Sequence, residues 1–151
     1  MRVDIYKFFR KEWKTMAEEQ VLRVPAKLER VEEIMDFVGS LLDEHGCSPK
    51  VRGQMRMAFE ELCANVALYA YPSGEGWMEI RGSARDGVAT FKLIDGGMPF
   101  DPLAKPDPDI LLSGEERGIG GLGIYMVKTM MDDVEYVYRD GCNCLTLRKK
   151  L

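Results

Sequence analysis

Apolar residues in this chain recur at helical spacing in some stretches and alternate with polar ones in others, and the switches of rhythm mark the predicted elements. Ile5, Phe8, Phe9, Trp13 and Met16 set an amphipathic helix over residues 1–19. Val21–Val24 is a short apolar strand ending at Pro25. Ala26–His45 is predicted helical, with Leu28, Val31, Ile34, Met35, Val38, Leu41 and Leu42 on one side and Gly46 as its stop. Ser48 and Pro49 open a second helix as cap and first residue, and it runs to about Ala70, where Tyr71-Pro72 ends it. Its apolar stripe is Met55, Phe59, Leu62, Val66 and Tyr69, while Arg52, Arg56 and Glu60 fall on the solvent side.

After a turn at Ser73-Gly74-Glu75-Gly76, Trp77–Ser83 and Val88–Asp95 read as strands joined across Arg85-Asp86-Gly87, a hairpin signal. Residues 96–120 carry Gly, Pro and Asp without periodicity, and a loop of that length is usually functional. Leu122–Asp132 is a third core helix, followed by a hairpin of Val134–Tyr138 and Cys144–Lys149 around Asp140-Gly141. This order predicts an α/β (α+β) two-layer sandwich: one mixed, mainly antiparallel sheet with its helices on a single face.

A chain of 151 residues is enough for one domain with a real core. The net charge of −4 gives no reason to expect nucleic acid. A basic cluster, Lys7, Arg10, Lys11 and Lys14, is interleaved with aromatics, but Glu12, Glu18 and Glu19 dilute it. The segment 1–19 is therefore expected to pack on the domain or to dimerise rather than to lie on a membrane. No signal peptide or membrane span is expected. Cys47, Cys63, Cys142 and Cys144 lack zinc-site spacing and read as free thiols, in keeping with a cytoplasmic protein. His45 is the single histidine, which excludes sites that need two.

Three features carry candidate chemistry. Glu61 and Asn65 are four apart on the second helix, at one edge of its apolar stripe. They are either a polar pair at the core boundary or a carboxylate and an amide sharing one ligand. The amide oxygen would suit Mg²⁺, and the carboxylate a proton or water. Asp95 continues the apolar face of its strand, so it is either a buried acceptor or a residue closing a turn with its own backbone. Gly96-Gly97 follow it. Gly118-Ile-Gly120-Gly121-Leu-Gly123 leads into the third helix, where bare amides favour phosphate oxygens. It has neither the Lys-Ser/Thr of a Walker loop nor the position of a dinucleotide fingerprint.

Order and spacing are more specific than any one feature. Glu-Leu-Cys-Ala-Asn (61–65), Asp-Gly-Gly-Met-Pro-Phe (95–100) and Gly-Gly-Leu-Gly-Ile-Tyr-Met (120–126) resemble the N, G1 and G2 boxes of the GHKL (histidine kinase-like) ATPase superfamily. Within it, residues 20–151 are most similar to the bacterial anti-sigma-factor serine/threonine protein kinases. The resemblance implies a Bergerat-type ATP-binding fold, Mg²⁺-ATP or ADP as cofactor, and a lid over residues 101–120. It implies Glu61 as general base, Asn65 as the Mg²⁺ ligand, and Asp95 as acceptor for the adenine amino group, with Gly97 leaving room for the base. Gly120, Gly121, Leu122 and Gly123 would meet the phosphates, and the lid residue Arg117 would either reach them or stay solvated. Tyr69 stands where the family often has histidine, and Gly141-Cys142-Asn143 replaces its Gly-Thr segment, with Asn143 as the polar adenine contact.

The resemblance also implies partners: a small antagonist protein as substrate, a sigma factor, and a possible second copy of the chain. The alternative is a nucleotide-binding regulatory module with little kinase activity. The catalytic domain of a sensor histidine kinase fits less well. His45 precedes Gly46-Cys47-Ser48-Pro49, which lacks the acidic neighbour of a phosphoacceptor box.

Overall fold

The computed structural model describes residues 19–104, 106–107 and 122–151. The helix predicted over residues 1–19 therefore lies, apart from Glu19, outside the described residues, and so does most of the expected lid.

Strand β1 (Gln20–Pro25) leads through a 3₁₀ turn (Leu28–Arg30) into helix α1 (Val31–Glu44) and then α2 (Pro49–Asn65). A π turn (Val66–Ala70) extends α2. The hairpin β2 (Trp77–Arg85) and β3 (Val88–Asp95) follows, and α3 (Leu122–Met130) precedes the hairpin β4 (Asp133–Arg139) and β5 (Cys142–Lys150).

The sheet order is β1-β2-β3-β5-β4, and every neighbouring pair is antiparallel. The expected mixture of directions thus contains no parallel pair among the described strands. The reason is topological: β3 and β4 run the same way, but β5 returns between them. Both tight hairpins are set by left-handed residues, Asp86 (φ 52°) with Gly87 (φ 77°) and Asp140 (φ 53°) with Gly141 (φ 75°). Two successive positive φ values match the right-handed twist of the flanking strands.

The helices cover one sheet face. Met78, Ile80, Gly82 and Ala84 of β2, Ala89, Phe91, Leu93 and Asp95 of β3, and Leu145 and Leu147 of β5 point into that layer. Phe59 of α2 meets Phe91 edge to face, with ring centroids 5.4 Å apart. Gly82 sits opposite Phe91, and a Cβ there would come within 2.6 Å of the Phe91 ring. The missing side chain is the space the aromatic ring fills.

Two helix predictions shift. Leu28 is exposed, because the chain leaves Pro25 through the extended Lys27 and turns as 3₁₀ before α1 begins. Ser48 does cap α2, its Oγ accepting from the Val51 N–H at 3.2 Å. Met55, Phe59, Leu62 and Val66 are buried as the stripe requires, but Tyr69 is 69% exposed. The π turn adds about one residue per turn, which rotates Tyr69 off the core face and leaves Ala70 half-buried in its place.

Candidate functional site

A cavity of about 610 Å³ opens between α2, α3, the β3–β5 edge of the sheet and the segment that follows β3. Glu61, Asn65, Asp95 and Asn143 all line it, so residues spread over 83 positions of sequence converge on one pocket. Its walls are otherwise largely apolar, from Leu62, Val66, Leu93, Met98 and Phe100 to Ile124, Tyr125 and Tyr136. Such a wall suits a flat ring with few polar atoms.

At one end stands Asp95, only 6% exposed at the last position of β3. Its Oδ1 accepts the Gly97 N–H at 2.9 Å and Asn143 Nδ2 at 2.9 Å. The two sequence alternatives therefore coexist, since this carboxylate closes its own turn and is also a buried acceptor. Gly97 also meets a packing constraint of its own. A Cβ there would lie 2.4 Å from the Ala70 carbonyl oxygen, so the end of the π turn occupies that space. The Met98 N–H donates to the same carbonyl at 3.0 Å.

Asn143 spends its whole amide within the protein. Nδ2 also donates to the Met98 carbonyl at 2.8 Å, and Oδ1 accepts from the Phe100 N–H at 3.0 Å and from the Tyr136 hydroxyl. Tyr136 and Tyr71 are residues the sequence reading missed. Tyr136 shares the helix-facing side of β4 with Val134, and alternation alone could have placed it there. Burial pushes its phenol pKa up, with the Phe100 N–H partly offsetting this. Tyr71, read in sequence only as a helix stop, donates to the Trp77 carbonyl at 2.6 Å and accepts the Gly96 N–H at 2.7 Å. It latches the turn after Asp95 to the start of β2. Its phenol pKa is also raised, chiefly by burial.

At the other end α2 presents Glu61 and Asn65. Glu61 is exposed at the mouth, and Asn65 Nδ2 reaches its Oε1 only at 3.5 Å, the outer limit of a hydrogen bond. With Nδ2 turned that way, Asn65 Oδ1 could serve as a ligand oxygen. No cluster of three or more His, Cys, Asp or Glu capable of holding a metal occurs among the described residues. A magnesium ion here would suit one protein amide oxygen together with phosphate oxygens and water, its usual preference. Gly123, in the first turn of α3, abuts the carboxylate: a Cβ there would lie 2.1 Å from Glu61 Oε1. Leu122 opens α3 and is exposed. Arg117, Gly120 and Gly121 lie outside the described residues. Asp107 also lines the cavity and pairs with Lys128 of α3 at 2.5 Å.

Away from the cavity, the sheet face opposite the helices holds a buried carboxylate, Glu79, which is paired with Arg23 at 2.8 Å and Arg81 at 2.6 Å. Burial alone would raise its pKa, but the hydrogen bonds from the two arginines outweigh it and the net shift is downward. Arg23 also lies over the Trp77 ring at 3.9 Å. Cys63 is buried in the core, which pushes its thiol up to about 12, so it is inert. Among the described residues no helix is long and apolar enough to cross a membrane.

Comparison with known proteins bears on this geometry. Serine-protein kinase RsbW of Bacillus cereus (strain AH820) is 27% identical over 128 residues, spanning 82% of this chain and 80% of the relative. RsbW of Bacillus thuringiensis (strain Al Hakam) is similar to the same extent. A crystal structure of the RsbU and RsbW domains of a Mycobacterium tuberculosis protein superposes with a TM-score of 0.61 at 15% identity. It covers 87% of this chain, which spans only 32% of that longer one, and the likeness shows a shared fold. The model of the histidine kinase-like ATPase domain matches residues 24–149, from within β1 to the last residue but one of β5 and across every pocket residue named above. The chain belongs to the histidine kinase-like ATPase domain family.

Proposed function

We propose that this protein is a Mg²⁺-ATP-binding serine/threonine protein kinase of the anti-sigma-factor type. In this reading it phosphorylates a small antagonist protein and binds a sigma factor. The observation that carries the proposal is the two-ended pocket, with a buried acceptor, Asp95, at one end and the Glu61–Asn65 pair at the other. Asp95 would take the adenine amino group, and the apolar wall its ring. Asn65 would hold the magnesium ion, which supplies charge neutralisation at the phosphates when bound. Backbone amides of Gly120 to Gly123 would meet phosphate oxygens, with Arg117 as a further phosphate contact.

Glu61 would then accept the proton of a serine hydroxyl as its oxygen attacks the terminal phosphorus. The new O–P bond forms as the bond from that phosphorus to the bridging oxygen breaks, and ADP leaves with the bridging oxygen. Such transfer needs positioning and charge more than covalent work by the protein, which suits a site with one exposed carboxylate. A second copy of the chain belongs among its partners in this scheme, and a cytoplasmic location goes with it. The name of the relatives, serine-protein kinase, supports the acceptor class.

A second reading, a nucleotide-holding interaction module, is favoured by the long 3.5 Å contact between Asn65 and Glu61. Transfer of label from γ-labelled ATP to a candidate antagonist separates the two. The kinase transfers label and the Glu61→Ala variant does not. Nucleotide binding without transfer by the unmutated protein would favour the module.

A further inference from the structure

The orientation of the Asn143 amide is dictated by backbone. The Met98 carbonyl can only accept and the Phe100 N–H can only donate, so Nδ2 must face Met98 and Oδ1 must face Phe100. The second Nδ2 hydrogen then points at Asp95 Oδ1, where the Gly97 N–H also arrives. With both of its lone-pair directions met by N–H donors, Oδ1 is held inward and Oδ2 is the oxygen left to meet a ligand. Among the described residues Asp95 Oδ2 has no donor, and Asp95 lines the cavity. The Tyr136 hydroxyl locks the arrangement from the far side of the amide.

We infer that Asn143 is a positioning residue for purine selectivity: with Tyr136 behind it, it fixes the orientation of the Asp95 carboxylate so that Oδ2 faces the base, and it does not itself contact the base. All four hydrogen-bonding positions of its amide are used within the protein, leaving none for a ligand. A carboxylate oxygen presented in this way welcomes an exocyclic amine and repels an exocyclic oxo group at the same place. The same amide ties Met98 and Phe100 to β5, so the strap leaving β3 is held by the group that orients the base reader. This inference rests on the reading of the pocket as an adenine-nucleotide site.

The test compares ATP with inosine triphosphate, which differ at the purine 6-position, using the full chain with Mg²⁺. Inorganic tripolyphosphate competition reports on the phosphate end alone. The unmutated protein should prefer ATP. Asn143→Ala should lower the ATP-to-ITP preference by about tenfold or more, as expected for losing a hydrogen bond to a charged group. Asn143→Asp, which puts an oxygen where Asp95 needs a donor, should lower it at least as far. Tyr136→Phe should lower it by about threefold, the scale of one neutral hydrogen bond. Tripolyphosphate competition should stay unchanged in all three. A preference that survives in folded Asn143→Ala and Tyr136→Phe proteins overturns the inference. If Asn143→Ala does not fold, Asn143→Asp and Tyr136→Phe decide it. Equal binding of ATP and ITP by the unmutated protein overturns the inference but leaves the nucleotide pocket standing, whereas binding of neither overturns both.

Discussion

The two ends of the cavity are built differently. Around Asp95 and Asn143 the polar groups are cross-linked before any ligand arrives: Asn143 makes four contacts, and Tyr71 bridges Gly96 to Trp77. Around Glu61 and Asn65 the described residues show one side-chain contact, of 3.5 Å, on a solvent-facing helix edge beside a bare Gly123. Under the proposed function, the difference follows from what each end would meet. A flat, rigid base is read with least loss when the reading groups are already fixed. Groups that act on flexible, charged phosphates are completed by the ligand itself, and their contacts tighten only then.

Substitutions at each end can break this contrast. The largest effect is expected at Glu61. Its change to Ala should cut phosphoryl transfer by about 10²–10⁴-fold while changing ATP affinity little, as read by labelled transfer beside equilibrium binding. Equal losses in both would mean that the carboxylate is part of the fixed reader. Next comes Asp95→Asn, which should weaken ATP and ADP by roughly 10–100-fold in competition binding and spare tripolyphosphate. An equal loss for all of these ligands would remove its role as base reader. Gly97→Ala sharpens the account differently, since its Cβ would meet backbone at Ala70 rather than a flexible side chain. It should lower stability by about 1–3 kcal/mol in urea unfolding, because the π turn cannot step aside freely.

The smallest effect belongs to Glu79, on the sheet face away from both ends, and it serves as the control. Its folded pKa is lowered, because the arginine hydrogen bonds outweigh burial. The ion pair's stabilisation is therefore present above the ordinary glutamate range and is lost as pH falls through the folded value. Glu79→Gln should flatten the acid limb of the stability–pH curve and leave ATP affinity at neutral pH unchanged.

Much of the fold was legible because its signals are local. Asp-Gly pairs demand positive φ at both hairpins, Ser48-Pro49 is a capping pair, and period-two burial marks β3. The site was legible as an ordered set of short boxes. What escaped depends on tertiary geometry. The π turn that turns Tyr69 outward leaves no mark in the helical spacing of Val66 and Tyr69. The collision behind Gly97 involves Ala70, and nothing in the sequence says that those two backbones meet. The saturation of Asn143 depends on the register that places it opposite both Asp95 and Tyr138, with Tyr136 one step away on the same face.

The central claim is that this cavity binds an adenine nucleotide through Asp95. Calorimetric titration of the full chain with ATP and ADP in the presence of Mg²⁺, beside the Asp95→Asn variant, tests it most directly. The account predicts saturable binding of both nucleotides by the unmutated protein and a marked weakening in the variant. Absence of binding to the unmutated protein, or identical affinities in the two proteins, would contradict it.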